Sequence, residues 1–145
     1  MSLRRRILIL CTGNACRSQM AEGYLRHFGG GRIAVRSAGI ESHGLNPRAV
    51  RVMREDGIDI SGHSSDTVNA AMLEWCDCVI TVCSHADTHC PHVPAGVEKR
   101  HIGFADPAKA GGSDDEIMNA FREVRDQIRG AMLNVALALE KQGPV

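Results

Sequence analysis

The sequence predicts an α/β sandwich built around a short parallel sheet, and three observations carry that expectation. Ile7-Leu8-Ile9-Leu10 is a continuous apolar run of the kind that parallel sheets bury on both faces. Segments of helical and strand periodicity alternate after it, which is the pattern of βα units. A second β-branched run, Cys78-Val79-Ile80-Thr81-Val82-Cys83, recurs well down the chain.

Arg6 to Leu10 forms the first expected strand, and the Gly-bearing loop Cys11 to Ser18 follows it. From Gln19 to Phe28, Met20, Ala21, Tyr24, Leu25 and Phe28 recur at helical spacing, with Ser18 as the expected cap and Gly29 to Gly31 as the stop. Arg32 to Ser37 alternates Ile33 and Val35 with polar residues, as a strand does. Asn46-Pro47 opens a helix that turns Ala49, Val50 and Met53 inward and closes at Gly57. The strand 78–83 leads into a polar segment, SHADTHCP, read as a flexible loop, and Lys99 to Phe104 reads as a shorter strand. A long helix starts near Asp114, with a seam of Ile117, Phe121, Val124, Ile128, Ala131 and Val135. No linker, repeat or composition shift divides the chain, so residues 1–145 are expected to form one domain.

The 17 Lys and Arg balance the 17 Asp and Glu, and this neutrality argues against nucleic-acid or membrane-surface binding, which favour a basic excess. Three arginines precede the first apolar run, yet four strongly apolar residues are too few for an export signal. Six cysteines without such a signal point to reduced thiols in a cytoplasmic protein, where reactivity or metal binding outranks a disulfide framework.

Cys11-Thr12-Gly13-Asn14-Ala15-Cys16-Arg17-Ser18 places a Cys, five residues, an Arg and a Ser between a strand and a helix. A loop feeding a helix N-terminus aims successive backbone N–H groups of Thr12 to Arg17 at one point, a nest for a tetrahedral oxyanion. Gly13 is expected to take the unusual backbone angles of that nest. Arg17 adds a permanently charged fork. The same dipoles and guanidinium favour the thiolate of Cys11, to which Ser18 can donate a hydrogen bond. Either Cys11 or Arg17 alone would read as a strand-end thiol or a surface charge; the spacing between strand and helix makes the pair specific. Cys16, inside the loop, reads as a packed small residue.

CTGNACRSQMAEG resembles the signature of the low-molecular-weight protein tyrosine phosphatase superfamily and, more closely, of its thioredoxin-coupled arsenate reductases. The likeness continues through SAGIESHGLNPRAV, GIDISGHSSD, DCVITVCSHADTHCP and GFADPA, nearly the whole chain. The resemblance implies a three-layer sandwich with a four-stranded parallel sheet, Cys11 as nucleophile, Arg17 as oxyanion clamp and Asp106 as general acid. On residues alone, Asp106-Pro107 would be no more than a turn. Ile102 and Ala105 depart from the residues common in the reductases, and Ala108 stands where many tyrosine phosphatases carry an aromatic residue, which favours a small inorganic substrate.

The anion loop does not separate arsenate reduction from phosphomonoester hydrolysis, since both substrates are tetrahedral oxyanions. A reductase must also pass on two electrons. The resemblance gives that role to Cys83 and Cys90: Cys83 attacks Cys11 as arsenite leaves, Cys90 then attacks Cys83, and thioredoxin reduces the 83–90 disulfide. Phosphate and sulfate are the expected competing anions, and a monomer the expected state. Taken singly, Cys83 is a strand-end core thiol and Cys90 a surface thiol beside Pro91. A phosphatase without redox chemistry is the first alternative. A second, from another class, reads Cys76, Cys78, Cys83, His85, His89, Cys90 and His92 as a metal-binding module, although C-x-C and H-C-x-H match no common zinc spacing. Asn14, Ser37, Ser64 and Asp66 resemble positions that surround a potassium ion in some of the reductases. The alternative for them is a hydrogen-bonded brace in which Asn14 bridges Ser37 and Ser64.

Overall fold

A computed structural model describes residues 4–142. Strand β1 (Arg5–Cys11) leads through the anion loop into α1 (Arg17–Gly29), and β2 (Ile33–Gly39) leads to α2 (Pro47–Glu55) and α3 (Ala70–Trp75). Strand β3 (Cys78–Thr81), α4 (Ser84–His89), β4 (Glu98–His101) and α5 (Asp114–Gln142) complete the order. The sheet is wholly parallel, in the order β2-β1-β3-β4, as the four-stranded sandwich requires. Cys11 pairs with Gly39, and Leu10 with Thr81, so the carboxyl ends of the strands finish level.

That order fixes where a ligand can sit. The chain steps from β1 outward to β2, then back across β1 to β3 and β4. Right-handed crossovers therefore put α1 and α4 on opposite faces, and the loop after β1 opens at the point where the winding reverses. Ile7, Leu8, Ile9 and Leu10 are fully buried, consistent with helices covering both faces. Helices α1, α2 and α5 pack together, while α3 and α4 lie against β1. Among the described residues no helix is long and apolar enough to cross a membrane.

Several expected boundaries are corrected. Ser18 is not the cap of α1: it lies in the first turn, buried, while Cys16 occupies the cap position without a side-chain bond, because the anion loop itself fills the helix entrance. Strand β3 ends at Thr81, two residues before Cys83, and β4 ends at His101 rather than Phe104. The segment SHADTHCP is not a loop but contains α4, capped by the Cys83 side chain. Helix α3, which periodicity did not reveal, is capped by Asn69 accepting from Met72 N–H. The expected seam of α5 is buried at Phe121, Val124, Ile128 and Val135, while Met118 and Met132 take the inward places beside the half-buried Ile117 and Ala131. Residues 1–3 and 143–145 of the expected domain lie outside the described residues.

Candidate active site

The loop between β1 and α1 is held from behind by the segment that follows β2. Ile40, Glu41, His43 and Asn46 donate backbone N–H groups to the carbonyls of Cys11, Thr12, Gly13 and Ala15 at 2.8–3.0 Å. Gln19 Nε2 takes the remaining carbonyl, that of Asn14, at 3.0 Å. With its carbonyls tied outward, trans-peptide geometry turns the loop N–H groups inward, toward the cleft above α1. The left-handed residue in the nest is Asn14, with φ of 49°. Gly13 is required for a different reason than the sequence suggested. Its φ is not positive, but any Cβ there would collide with the His43 ring. Gly39 is similarly confined, facing the backbone of Thr12 and Asn14.

Cys11 lies at the floor of a cleft of about 780 Å³ that Arg17, His43, Cys83, His85 and Asp106 also line. Its Sγ is 2.8 Å from Ser18 Oγ. A chain of hydrogen bonds fixes the direction of that contact. The Glu22 carboxylate only accepts, so Ser37 Oγ donates to it at 2.8 Å; both Asn14 Nδ2 protons then go to Ser37 and Ser18, at 2.9 and 2.8 Å. Ser18, already an acceptor, is left with its own proton to give Cys11 Sγ. Cys16 sits beside this site but is not equivalent: burial pushes its thiol up to about 12, with the nearby Asp106 charge adding to the effect, so it stays protonated.

Arg17 is 12% exposed and bridges to the opposite wall. Its Nη2 is 3.5 Å from Asp106 Oδ2, and its Nη1 donates to Phe104 O at 3.1 Å. Asp106 also caps the short turn Pro107–Lys109 by accepting from Ala108 N–H. The geometry thus brings Cys11, Arg17, Ser18, Cys83 and Asp106 to one cleft. Cys90 is outside it, half-buried at the far end of α4, where burial raises its thiol and the nearby Lys99 partly offsets that. Cys83 Sγ lies 3.3 Å from Thr12 Oγ1 and accepts from Ala86 N–H at 3.4 Å, so the second thiol touches the anion loop directly.

The four residues compared with a potassium site gather behind the loop and are hydrogen-bonded among themselves. Asn14 Oδ1 accepts from Asp66 N–H at 2.9 Å, Ser37 is engaged on both sides, and Ser64 Oγ donates to Asp66 at 2.6 Å. Ser64 does not contact the Asn14 side chain as expected; Ser18 takes that place. Glu22, the carboxylate of the network, is met by Arg26 at 3.0 Å and His63 at 3.3 Å. These contacts make the hydrogen-bonded brace the arrangement seen here, with the Arg26 guanidinium beside the Glu22 carboxylate. Among the described residues no group of three or more His, Cys, Asp or Glu converges as metal ligands. Cys76 and Cys78 are buried in the core, apart from the exposed His85 and His89.

Sequence reasoning missed Glu22, Gln19 and His43. The signal for Glu22 was its position four residues after Ser18 and four before Arg26, on one face of α1. Gln19 and His43 carry no local signal, since their partners come from residues 14, 64 and 13 in the folded chain.

A buried thiol in an inward-facing amide loop that ends in a guanidinium, with a carboxyl on the opposite wall, defines a cysteine-dependent enzyme of tetrahedral oxyanions. The model of the family "Low molecular weight phosphotyrosine protein phosphatase" matches residues 6–145, and the chain belongs to that family. Within it, the chain is 53% identical over 122 residues to the arsenate reductase of Halalkalibacterium halodurans, covering 84% of this chain and 88% of that one. It is 50% identical over 122 residues to the arsenate reductase of Bacillus subtilis, with the same two coverages. Among solved structures, an arsenate reductase in the phosphate binding state superposes with a TM-score of 0.75 at 33% identity, covering 92% and 98% of the two chains.

Proposed function

We propose that this enzyme reduces arsenate to arsenite by a thiol relay. The observation that carries the reading is the Cys83 sulfur in the wall of the anion cleft, against Thr12, with Cys90 at the other end of the same short helix. A phosphatase needs no second thiol there. The kinship with arsenate reductases supports the same conclusion.

In the first step the Cys11 thiolate attacks arsenic, the loop amides and Arg17 hold the oxygens, and Asp106 protonates the departing hydroxide to water. Arg17 has to exchange Asp106 and Phe104 O for the oxyanion, which leaves the Asp106 carboxyl facing the leaving oxygen. Cys83 then attacks Cys11 Sγ; the sulfur–sulfur bond forms, the sulfur–arsenic bond breaks, and its electron pair leaves with arsenite. Contacts with the Ala86 N–H at 3.4 Å and Thr12 Oγ1 at 3.3 Å hold the Cys83 sulfur at the cleft wall for this attack. Cys90 attacks Cys83, freeing Cys11, and a thioredoxin dithiol reduces the 83–90 disulfide. The proposed setting is a cytoplasmic monomer, with phosphate and sulfate competing for the loop.

The test is arsenate-dependent NADPH consumption with thioredoxin and its reductase, run beside aryl-phosphate hydrolysis. Reduction lost in Cys83→Ser and Cys90→Ser with hydrolysis retained is the expected outcome. Strong hydrolysis without any arsenate reduction would make the enzyme a phosphatase.

A further inference from the structure

We propose that Asp87 is a positioning residue for the second half of the relay: it latches α4 to the sheet edge in the dithiol state and so sets how readily Cys83 and Cys90 join. The inference rests on the reading above for its biological use, but the latch itself is a property of the fold.

Cys83 and Cys90 flank the six-residue helix α4. At a rise of about 1.5 Å per residue, seven steps place their Cα atoms about 10 Å apart, beyond the roughly 7 Å a disulfide tolerates. Joining them requires α4 to open. Ala86 holds the helix down by burial, and Asp87 by polar contacts to two strands. Asp87 Oδ1 accepts from Thr81 Oγ1 at 3.1 Å, just past the β3 pairing with His101. Lys99 Nζ on β4 donates to the Asp87 carbonyl at 3.1 Å and is 3.4 Å from its carboxylate. His101 Nδ1 is 2.9 Å from Thr81 Oγ1 and 4.0 Å from Asp87 Oδ1. The Thr81 hydroxyl also reaches the Arg100 carbonyl at 3.4 Å, a longer contact than the one to Asp87, so Thr81 ties the carboxylate to the edge strand. Among the described residues, no other side chain between Ser84 and His89 is hydrogen-bonded to the sheet; the His85 and His89 rings lie against each other, centroids 4.4 Å apart.

Lys99 grips both the main chain and the side chain of Asp87, so unwinding α4 breaks the whole set together. When Cys90 attacks Cys83 in the Cys11–Cys83 disulfide, the 83–90 bond forms, Cys11 leaves as a thiolate and the Cys90 proton goes to solvent. The two electrons have already departed with arsenite, and no further oxidant enters. The latch contacts exist only while α4 is folded, so they favour the dithiol. Re-reduction by a dithiol restores them. The latch thus resists disulfide formation and assists recycling.

The experiment is a redox titration of the full chain against a glutathione or dithiothreitol buffer, with the Cys83–Cys90 disulfide read by mass spectrometry, for wild type, Asp87→Ala, Asp87→Asn and Lys99→Met. Asp87→Ala is expected to raise the disulfide equilibrium constant about tenfold, a potential about 30 mV more negative, with Lys99→Met shifting it less in the same direction. Aryl-phosphate hydrolysis, which uses only the anion cleft, stays within twofold of wild type. Unchanged or more positive potentials would overturn the latch, as would hydrolysis falling in step with the potential shift. If Asp87→Ala does not fold, Asp87→Asn and Lys99→Met carry the same test. The titration needs no arsenate, so a shifted potential without arsenate turnover would sink the relay and leave the latch standing.

Discussion

Ser18→Ala removes one hydroxyl whose two hydrogen bonds have separate consequences. Ser18 is fully buried and its Oγ lies 2.8 Å from Cys11 Sγ. A buried hydrogen bond to a charged partner contributes about 1.5–3 kcal/mol, so its loss should slow attack by Cys11 about 10- to 150-fold. The same substitution strands one Asn14 Nδ2 proton that Ser18 accepts at 2.8 Å, in a residue that is itself fully buried. An unsatisfied buried donor costs about 1–3 kcal/mol, which lowers the melting temperature by several degrees in a chain of this size. The assay is kcat/KM for arsenate with thioredoxin and for an aryl phosphate, with a thermal melt alongside. Because both reactions begin at Cys11, the two kcat/KM values should fall by the same factor. A variant that loses arsenate reduction alone, or loses stability with no loss in either rate, would refute the reasoning that Ser18 serves the nucleophile.

Two further predictions follow from charges placed by the fold. Arg26 already meets Glu22 at 3.0 Å, so turnover at equal ionic strength should be the same in sodium and potassium; a several-fold gain in potassium would mean that an ion displaces Arg26. Glu55 joins α2 to α5 through Arg122 at 2.8 Å and Arg125 at 3.1 Å, and the Arg122 hydrogen bond leads in lowering its carboxyl to about 2. Because the folded value lies below the unfolded one, near 4.3, the stabilisation is fully present above about pH 5 and fades as pH falls toward 2. With these side chains partly exposed to solvent, about 1 kcal/mol is expected, and Glu55→Gln should flatten that acid limb in urea melts; an unchanged limb would remove Glu55 from the account.

The fold was legible where periodicity was long and apolar. Strand β1, the start of α5 and the helix opened by Asn46-Pro47 needed only local pattern and caps. Helix α4 was hidden because five of its six residues are polar or His, and its cap is a cysteine, whose sulfur no propensity argument counts as a capping group. Helix α3 is only six residues long and yields too little period to read. In the site, Cys11, Arg17 and Ser18 stood out by spacing, but the reason for Gly13 did not. It lies in the His43 ring, thirty residues away in sequence. Glu22 acts through Ser37 on β2 and Asp87 through Lys99 on β4, partners that only the folded sheet brings near.

The central claim is that three thiols pass one oxidation from Cys11 to the ends of α4. Its most direct measurement is one arsenate turnover in the absence of reductant, followed by acid quench, alkylation and peptide mass spectrometry. One 83–90 disulfide per arsenite released, with Cys11, Cys16, Cys76 and Cys78 all alkylated as free thiols after unfolding, is the predicted result. Arsenite released without that disulfide, or a stable disulfide that includes Cys76 or Cys78, would contradict the relay.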